Sequence, residues 1–309
     1  MSTGLTTLPA TSTRPGLLAR WADFVELTKP RIVVLELVAV VVAMQVAGGG
    51  ALATVLITPS LLLSVVLGTA LVAGSANAMN MWLERELDAK MPRTADRPLP
   101  AGRLSPADAF AFALLTLTLG VTTLAMRAGW LPAAIALGTW AVYVGLYTPL
   151  KVRSWTNTAV GAVSGATPLW IGWTAGGGSL SDPIALTIVA VMYVWQFPHF
   201  MAIAWLSRHG YAQAGYKMST VLDPTGWWAG TQAFVGSAVL APISLAPLLL
   251  SPSIDALWYG LPVAAVGVLL CVASRRFFLD RSDVAARSLL RVSLVYVPVW
   301  LFALWVSGV

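Results

Sequence analysis

The 309-residue sequence predicts an all-α polytopic membrane protein with nine transmembrane helices. Three observations carry that expectation. The chain is 58% hydrophobic and 10% charged, where soluble domains hold roughly 25% charged residues. Its mean hydropathy is +0.78. Its apolar residues fall into separate segments near the length of about 20 residues that crosses a bilayer as a helix.

The segments run in order along the chain. Ile32–Val46 is the shortest and starts beside Pro30. Ile57–Met79, Ala107–Met126 and Leu131–Leu150 follow. Thr156–Ala175 is the fifth and Ile184–Leu206 the sixth. Trp228–Leu250, Leu257–Ala273 and Leu289–Val306 complete the set. The loops alternate in character. Ala47–Ala51, Gly176–Asp182 and Ser251–Ser253 are short and rich in Gly, Pro or Ser. Glu84–Pro106 and Ser207–Trp227 are long and charged.

Charge sets the expected orientation. Of the 19 basic residues, all but Arg127 fall in the N-terminal arm or in the loops after segments two, four, six and eight. Positive charge stays on the cytoplasmic side, so the N-terminus is expected inside and the C-terminus outside, in a cell (inner) membrane. Residues 1–27 read as a disordered cytoplasmic arm rich in Thr, Ser and Pro, and residues 28–309 as a single transmembrane domain. No apolar run of signal-peptide length opens the chain. The net charge of +6 follows from topology and anionic lipid, and nothing calls for nucleic acid. Cys271 is the lone cysteine, lies in segment eight and reads as a packing residue.

The most informative stretch runs from Asn80 to Pro98. It holds four of the 13 acidic residues and four of the 19 basic ones. Asn80, Glu84 and Asp88 are spaced by four, which on a helix lines them along one face with about 40° of drift per step. Oxygen ligands so stacked suit Mg²⁺, which takes one or two carboxylates and completes its shell with substrate phosphates. Arg93 and Arg97 follow at the same spacing, placed to hold phosphate oxygens. A solvated topogenic loop explains the positive charge but not this periodicity. Asn77, one turn earlier, is either another ligand or a partner for the backbone.

Further polar residues stand out against the apolar background. Tyr147, Lys151 and Arg153 close segment four, where they can neutralise a departing diphosphate or simply anchor the headgroup zone. Trp195-Gln196-Phe197-Pro198-His199-Phe200 lies inside segment six. Gln and His are costly in a membrane and face a cavity or another helix. Recognition of a flat, polar-edged substrate and an interhelical hydrogen bond are both open for His199. No second soft ligand accompanies it, which argues against a tight transition-metal site. Glu36 sits well inside segment one and faces either a cavity or a partner helix. Gly161 and Gly165 read as a small-xxx-small helix contact.

The run from Asn80 to Gly102 resembles the first aspartate-rich motif of the UbiA superfamily of intramembrane prenyltransferases. Met91, Arg93-Thr94, Arg97-Pro98, Tyr147-Thr148-Pro149-Leu150-Lys151, Asn157, the Trp195–Phe200 string and Ala214-Gly215 resemble its protoheme IX farnesyltransferase (haem O synthase) branch. The likeness covers Thr28 to Met218. It implies nine helices around a central cavity, Mg²⁺ as cofactor, and farnesyl transfer from farnesyl diphosphate to a vinyl group of haem b. It also implies haem A synthase or cytochrome oxidase assembly partners within the bilayer. Carried onto this chain, Asn80, Glu84 and Asp88 hold the metal. Tyr147 and Lys151 join them in catalysis. Arg93, Arg97, Arg153, Glu36, Asn157, Trp195, Gln196, His199 and Tyr211 contact substrates. Two departures bear on this. Position 84 is Glu where the family has Asp, and Gly210 stands where it has Asp before Tyr211, with Asp223 as a candidate replacement. Another aromatic acceptor, or a haem-binding homologue without activity, stays open.

Overall fold

The structure, a computed structural model, describes residues 17–49 and 57–307. Residues 1–16 of the arm, with Arg14, and the end of the Ala47–Ala51 loop lie outside the described residues. All regular elements among these residues are helical.

The first helix, α1 (Leu17–Leu27), lies where the sequence predicts disorder. Its anchoring is long-range. Leu27 is fully buried. Arg103 reaches Asp23 at 2.7 Å and also pairs with Glu26, and Arg20 pairs with Asp108 at 2.8 Å. Local composition carries no trace of such contacts.

Eight helices among the described residues are long and apolar enough to cross a membrane. They are α2 (Pro30–Ala47), α3 (Pro59–Asp88), α4 (Pro106–Arg127), α5 (Trp130–Leu150), α8 (Pro183–Leu206), α11 (Trp227–Leu250), α12 (Ala256–Asp280) and α13 (Asp283–Ser307). The expected span Thr156–Ala175 is not one continuous helix. It forms α6 (Asn157–Ala166) and α7 (Pro168–Ala175) in series. Pro168 lacks the N–H that would continue the ladder and its ring crowds the preceding turn, so hydropathy marked one span where the backbone makes two short helices. Two more short helices, α9 (Arg208–Ala214) and α10 (Ser219–Leu222), shape the loop after α8.

The starts are written in the sequence. Thr58 before Pro59, Ser105 before Pro106 and Asp182 before Pro183 each place a side-chain oxygen on an early helical N–H, at 3.2, 3.1 and 2.8 Å. Proline in the first turn gives up an N–H that would have no partner. α3 outlasts its apolar run and carries Asn80, Glu84 and Asp88 on its last turns. α5 changes to a π-helical stretch over Val142–Tyr147, which alters the direction in which its final tyrosines point.

α3 packs on α4, its neighbour in the chain, α2 packs on the distant α7, and α8, α11, α12 and α13 form a second group. The second group holds the largest apolar core, with Trp300, Tyr259, Tyr296 and Phe277 fully buried. Where α2 crosses α7, a β-carbon on Gly172 would stand 2.0 Å from the Val40 carbonyl, so only glycine admits that approach. Leu115, Val268 and Phe302 are exposed on the perimeter, the surface that hydrocarbon covers. The ends of α3 and α5 and the loop from Arg208 to Met218 meet at one end of the bundle and enclose a cavity there.

Candidate active site

Asn80, Glu84 and Asp88 line one wall of that cavity and are only 1%, 5% and 1% exposed. Burying two carboxylates is costly unless each is paired. Each has a cation from a different element. Lys151 Nζ, just past α5, lies 2.8 Å from Glu84 Oε1. Arg97, in the loop after α3, donates to Asp88 Oδ2 at 2.7 Å. Lys29, between α1 and α2, donates to Asn80 Oδ1 at 2.9 Å. The Asn80 amide nitrogen donates to the Thr148 hydroxyl at 3.2 Å, which fixes the oxygen toward Lys29. Thr94 donates to the Asp88 carbonyl at 2.9 Å and folds the arginine loop back over the helix end.

The cavity is about 170 Å³ and is also lined by Arg93, Tyr143, Tyr147, Tyr211 and Tyr216. Its cations, Lys29, Arg93, Arg97 and Lys151, outnumber its two carboxylates. Burial, together with Arg97 and Lys151, pulls the Lys29 ammonium down to about 7, against the opposite influence of Glu84 and Asp88. Burial and the neighbouring Glu84 carboxylate hold the Tyr216 phenol well above its usual range. A site so charged attracts a compact polyanion.

The donors fit Mg²⁺. They are oxygens, two of them carboxylate, on successive turns of one helix. No group of three or more His, Cys, Asp or Glu occurs among the described residues. A cation held here therefore draws most of its ligands from substrate phosphates and water, which is the habit of Mg²⁺.

A second cavity of about 90 Å³ adjoins the first and shares Tyr147, Tyr211 and Met218 with it. Asn157, Thr158, Phe200, Ile203 and Ala204 complete it. Tyr147 is thus a wall between the charged chamber and a more apolar one. Lys151 Nζ sits 4.6 Å over its ring.

The remaining candidates lie outside the charged chamber. Asn157 is fully buried and donates to the Ser154 carbonyl at 2.6 Å. Gln196 donates to the Ala162 and Met192 carbonyls and is absorbed by the bundle. Trp195 stacks on His199 at 4.6 Å, and both bind Ser293 of α13, through its carbonyl at 2.8 Å and its hydroxyl at 3.0 Å. Arg153 is exposed. Neither Glu36 nor the Trp195–His199 pair lines the charged cavity. Asn77 donates to the Thr28 carbonyl and so serves the backbone. Asp223 accepts from the N–H groups of Thr225 and Trp228 at the start of α11 and does not line the cavity. Position 210 faces Met91, a cavity-wall residue. The two small residues of α6 are not a plain helix contact: Gly161 receives the Tyr147 ring and Gly165 the Gln196 amide.

Lys29, Tyr143 and Tyr216 are site residues that the sequence alone did not single out. Tyr143 stands four before Tyr147, a spacing that signals a shared face. Lys29 was counted with the topogenic charges, and only its position before Pro30 marks it.

A helical membrane bundle with a buried carboxylate–cation chamber at one end defines an intramembrane enzyme acting on a polyanionic head group. Residues 37–303 match the UbiA prenyltransferase family, and the chain belongs to it. The chain is 41% identical over 282 residues to the protoheme IX farnesyltransferase of Rhodopirellula baltica, covering 89% of this chain and 96% of that one. It is 36% identical over 294 residues to the protoheme IX farnesyltransferase of Opitutus terrae, covering 95% and 97%. Its fold matches a digeranylgeranylglyceryl phosphate synthase with a TM-score of 0.77 at 15% identity, over 94% of this chain and 98% of that one. It also matches an Archaeoglobus fulgidus UbiA homologue bound to DMAPP and Mg²⁺, with a TM-score of 0.68 at 15% identity, over 92% and 99%. The protein is a multi-pass membrane prenyltransferase.

Proposed function

We propose that the protein transfers the farnesyl group of farnesyl diphosphate to a vinyl group of haem b, with one water adding to the vinyl carbon beside the ring, releasing diphosphate and giving haem O. The observation that carries this reading is the chamber in which Glu84–Lys151 and Asp88–Arg97 pair beside Asn80 and Lys29. The similarity to the farnesyltransferases of Rhodopirellula and Opitutus supports the choice of substrates.

Asn80, Glu84 and Asp88 would hold Mg²⁺, which supplies charge neutralisation on the leaving diphosphate. Lys29, Arg93, Arg97 and Lys151 bind the diphosphate oxygens and stabilise the charge that grows as the C–O bond breaks. Tyr147 presents its ring to the allylic cation, and Phe200 and Ile203 beyond it keep water away. Trp195 and His199 face the porphyrin side, and Arg153 waits at the mouth. The acidic end lies in the cytoplasm and the bundle in the inner membrane, with residues 28–309 as one functional unit. Haem A synthase or oxidase assembly factors receive the product.

Purified protein given farnesyl diphosphate, haem b and Mg²⁺ yields haem O by mass spectrometry, and chelation stops it. Prenylation of a different aromatic acceptor, with haem b unchanged, would overturn the acceptor and leave the family assignment standing.

A further inference from the structure

Among the described residues, Glu36 is the one carboxylate more than a turn from either end of a spanning helix that the chamber does not use. It sits between Val33 and Val40, which are 6% and 0% exposed, on the inward face of α2. Lys29 marks where α2 begins at the chamber. Lys29 is the left-handed residue that precedes α2, and Glu36, about two turns into the helix, lies about 10 Å deeper in the bundle. Its side chain keeps partial accessibility on that inward face, and neither of the two cavities described above is lined by it. Among the described residues it has no hydrogen-bond or ion-pair partner. Glu84 and Asp88, by contrast, are each tied to a cation. A carboxylate that costly in a membrane without a partner points to a functional group.

We propose that Glu36 accepts the proton released when water adds to the carbocation left by farnesyl transfer, a role that rests on the haem farnesyltransferase reading above. The vinyl carbon bonds to the farnesyl carbon and leaves positive charge on the carbon beside the porphyrin ring. The water oxygen bonds to that carbon, one of its O–H bonds breaks, and the proton passes to a Glu36 carboxylate oxygen. The product is a neutral alcohol, and the acid later loses its proton at the aqueous mouth. The reaction needs no oxidant or reductant. Diphosphate departs before this step, so Glu36 separates departure from hydration, and that separation can be read in the products.

The test follows diphosphate release and haem products together for the wild type, Glu36→Gln and Glu36→Asp, each checked for folding by its thermal melt. Glu36→Gln is expected to release diphosphate near the wild-type rate while haem O falls roughly 100-fold, with farnesol or farnesylated haem lacking the added water in its place. Glu36→Asp restores haem O in part, which a packing role does not require. Wild-type haem O from Glu36→Gln overturns the proposal, and so does parallel loss of diphosphate release and haem O in a folded Gln variant. If the Gln variant does not fold, a Glu36→Asp variant that loses diphosphate release in step with haem O overturns it equally. A wild-type protein that releases diphosphate without making haem O overturns the haem reading itself and this inference with it.

Discussion

Gly161 of α6 lies against the ring of Tyr147, so that a β-carbon there would stand 2.6 Å from Cε2. Lys151 covers the ring elsewhere and Tyr143 approaches it at 5.3 Å. The ring has nowhere to retreat except into one of the two cavities it divides. Gly161→Ala is therefore expected to lower haem O formation by about tenfold or more, with a packing cost of about 1–3 kcal/mol. In a Tyr147→Ala background the same change should cost little, and a double-mutant cycle on product formation measures the coupling.

The Lys151–Glu84 pair is buried, with side chains 15% and 6% exposed. Removing one partner strands the other charge, at about 3–5 kcal/mol. Lys151→Met should lower the thermal midpoint and slow diphosphate release by roughly 100-fold, the scale for losing a group that stabilises the transition state. Adding Glu84→Gln should return much of the stability and none of the activity, because the diphosphate has still lost its cation. Thermal melts and diphosphate assays on the single and double variants check both halves.

Asp88 holds Arg97 at 2.7 Å and stands on the acidic wall of the cavity, where the proposal places Mg²⁺. Asp88→Asn keeps the shape and removes the charge. Activity should fall sharply and the Mg²⁺ concentration for half-maximal rate should rise. Titration of Mg²⁺ after chelation measures it, and an unchanged Mg²⁺ dependence would remove Asp88 from the metal site.

Asp223 caps α11 through the N–H groups of Thr225 and Trp228. Asp223→Ala should cost about 1 kcal/mol of stability and leave the Mg²⁺ dependence unchanged. Position 210 has room for a side chain, since an added β-carbon meets only Met91, at 3.9 Å. Gly210→Asp should therefore fold normally and lower the Mg²⁺ requirement. The same titration compares the two variants.

Much of this architecture could be read along the chain. Runs of apolar residues located the eight long spanning helices. The spacing of Asn80, Glu84 and Asp88 found the acidic wall. What escaped depended on contacts distant in sequence. The helix at Leu17–Leu27 rests on Arg103, far along the chain. The break at Pro168 changes hydropathy little. Lys29 reads as one more topogenic charge until the fold carries it to Asn80. Gln196 carries the polarity of a ligand but spends it on two backbone carbonyls, a use that residue type alone cannot distinguish. Gly161 and Gly165 have helix-contact spacing, yet the partners they admit are side chains.

Counting both products of one turnover tests the account most directly. Purified protein receives farnesyl diphosphate labelled in the farnesyl chain, haem b and Mg²⁺, and haems are separated from released diphosphate. The account predicts label in haem O with one diphosphate freed for each haem O formed, and loss of both in Lys151→Met. Label that stays out of the haem fraction while diphosphate is released would contradict it.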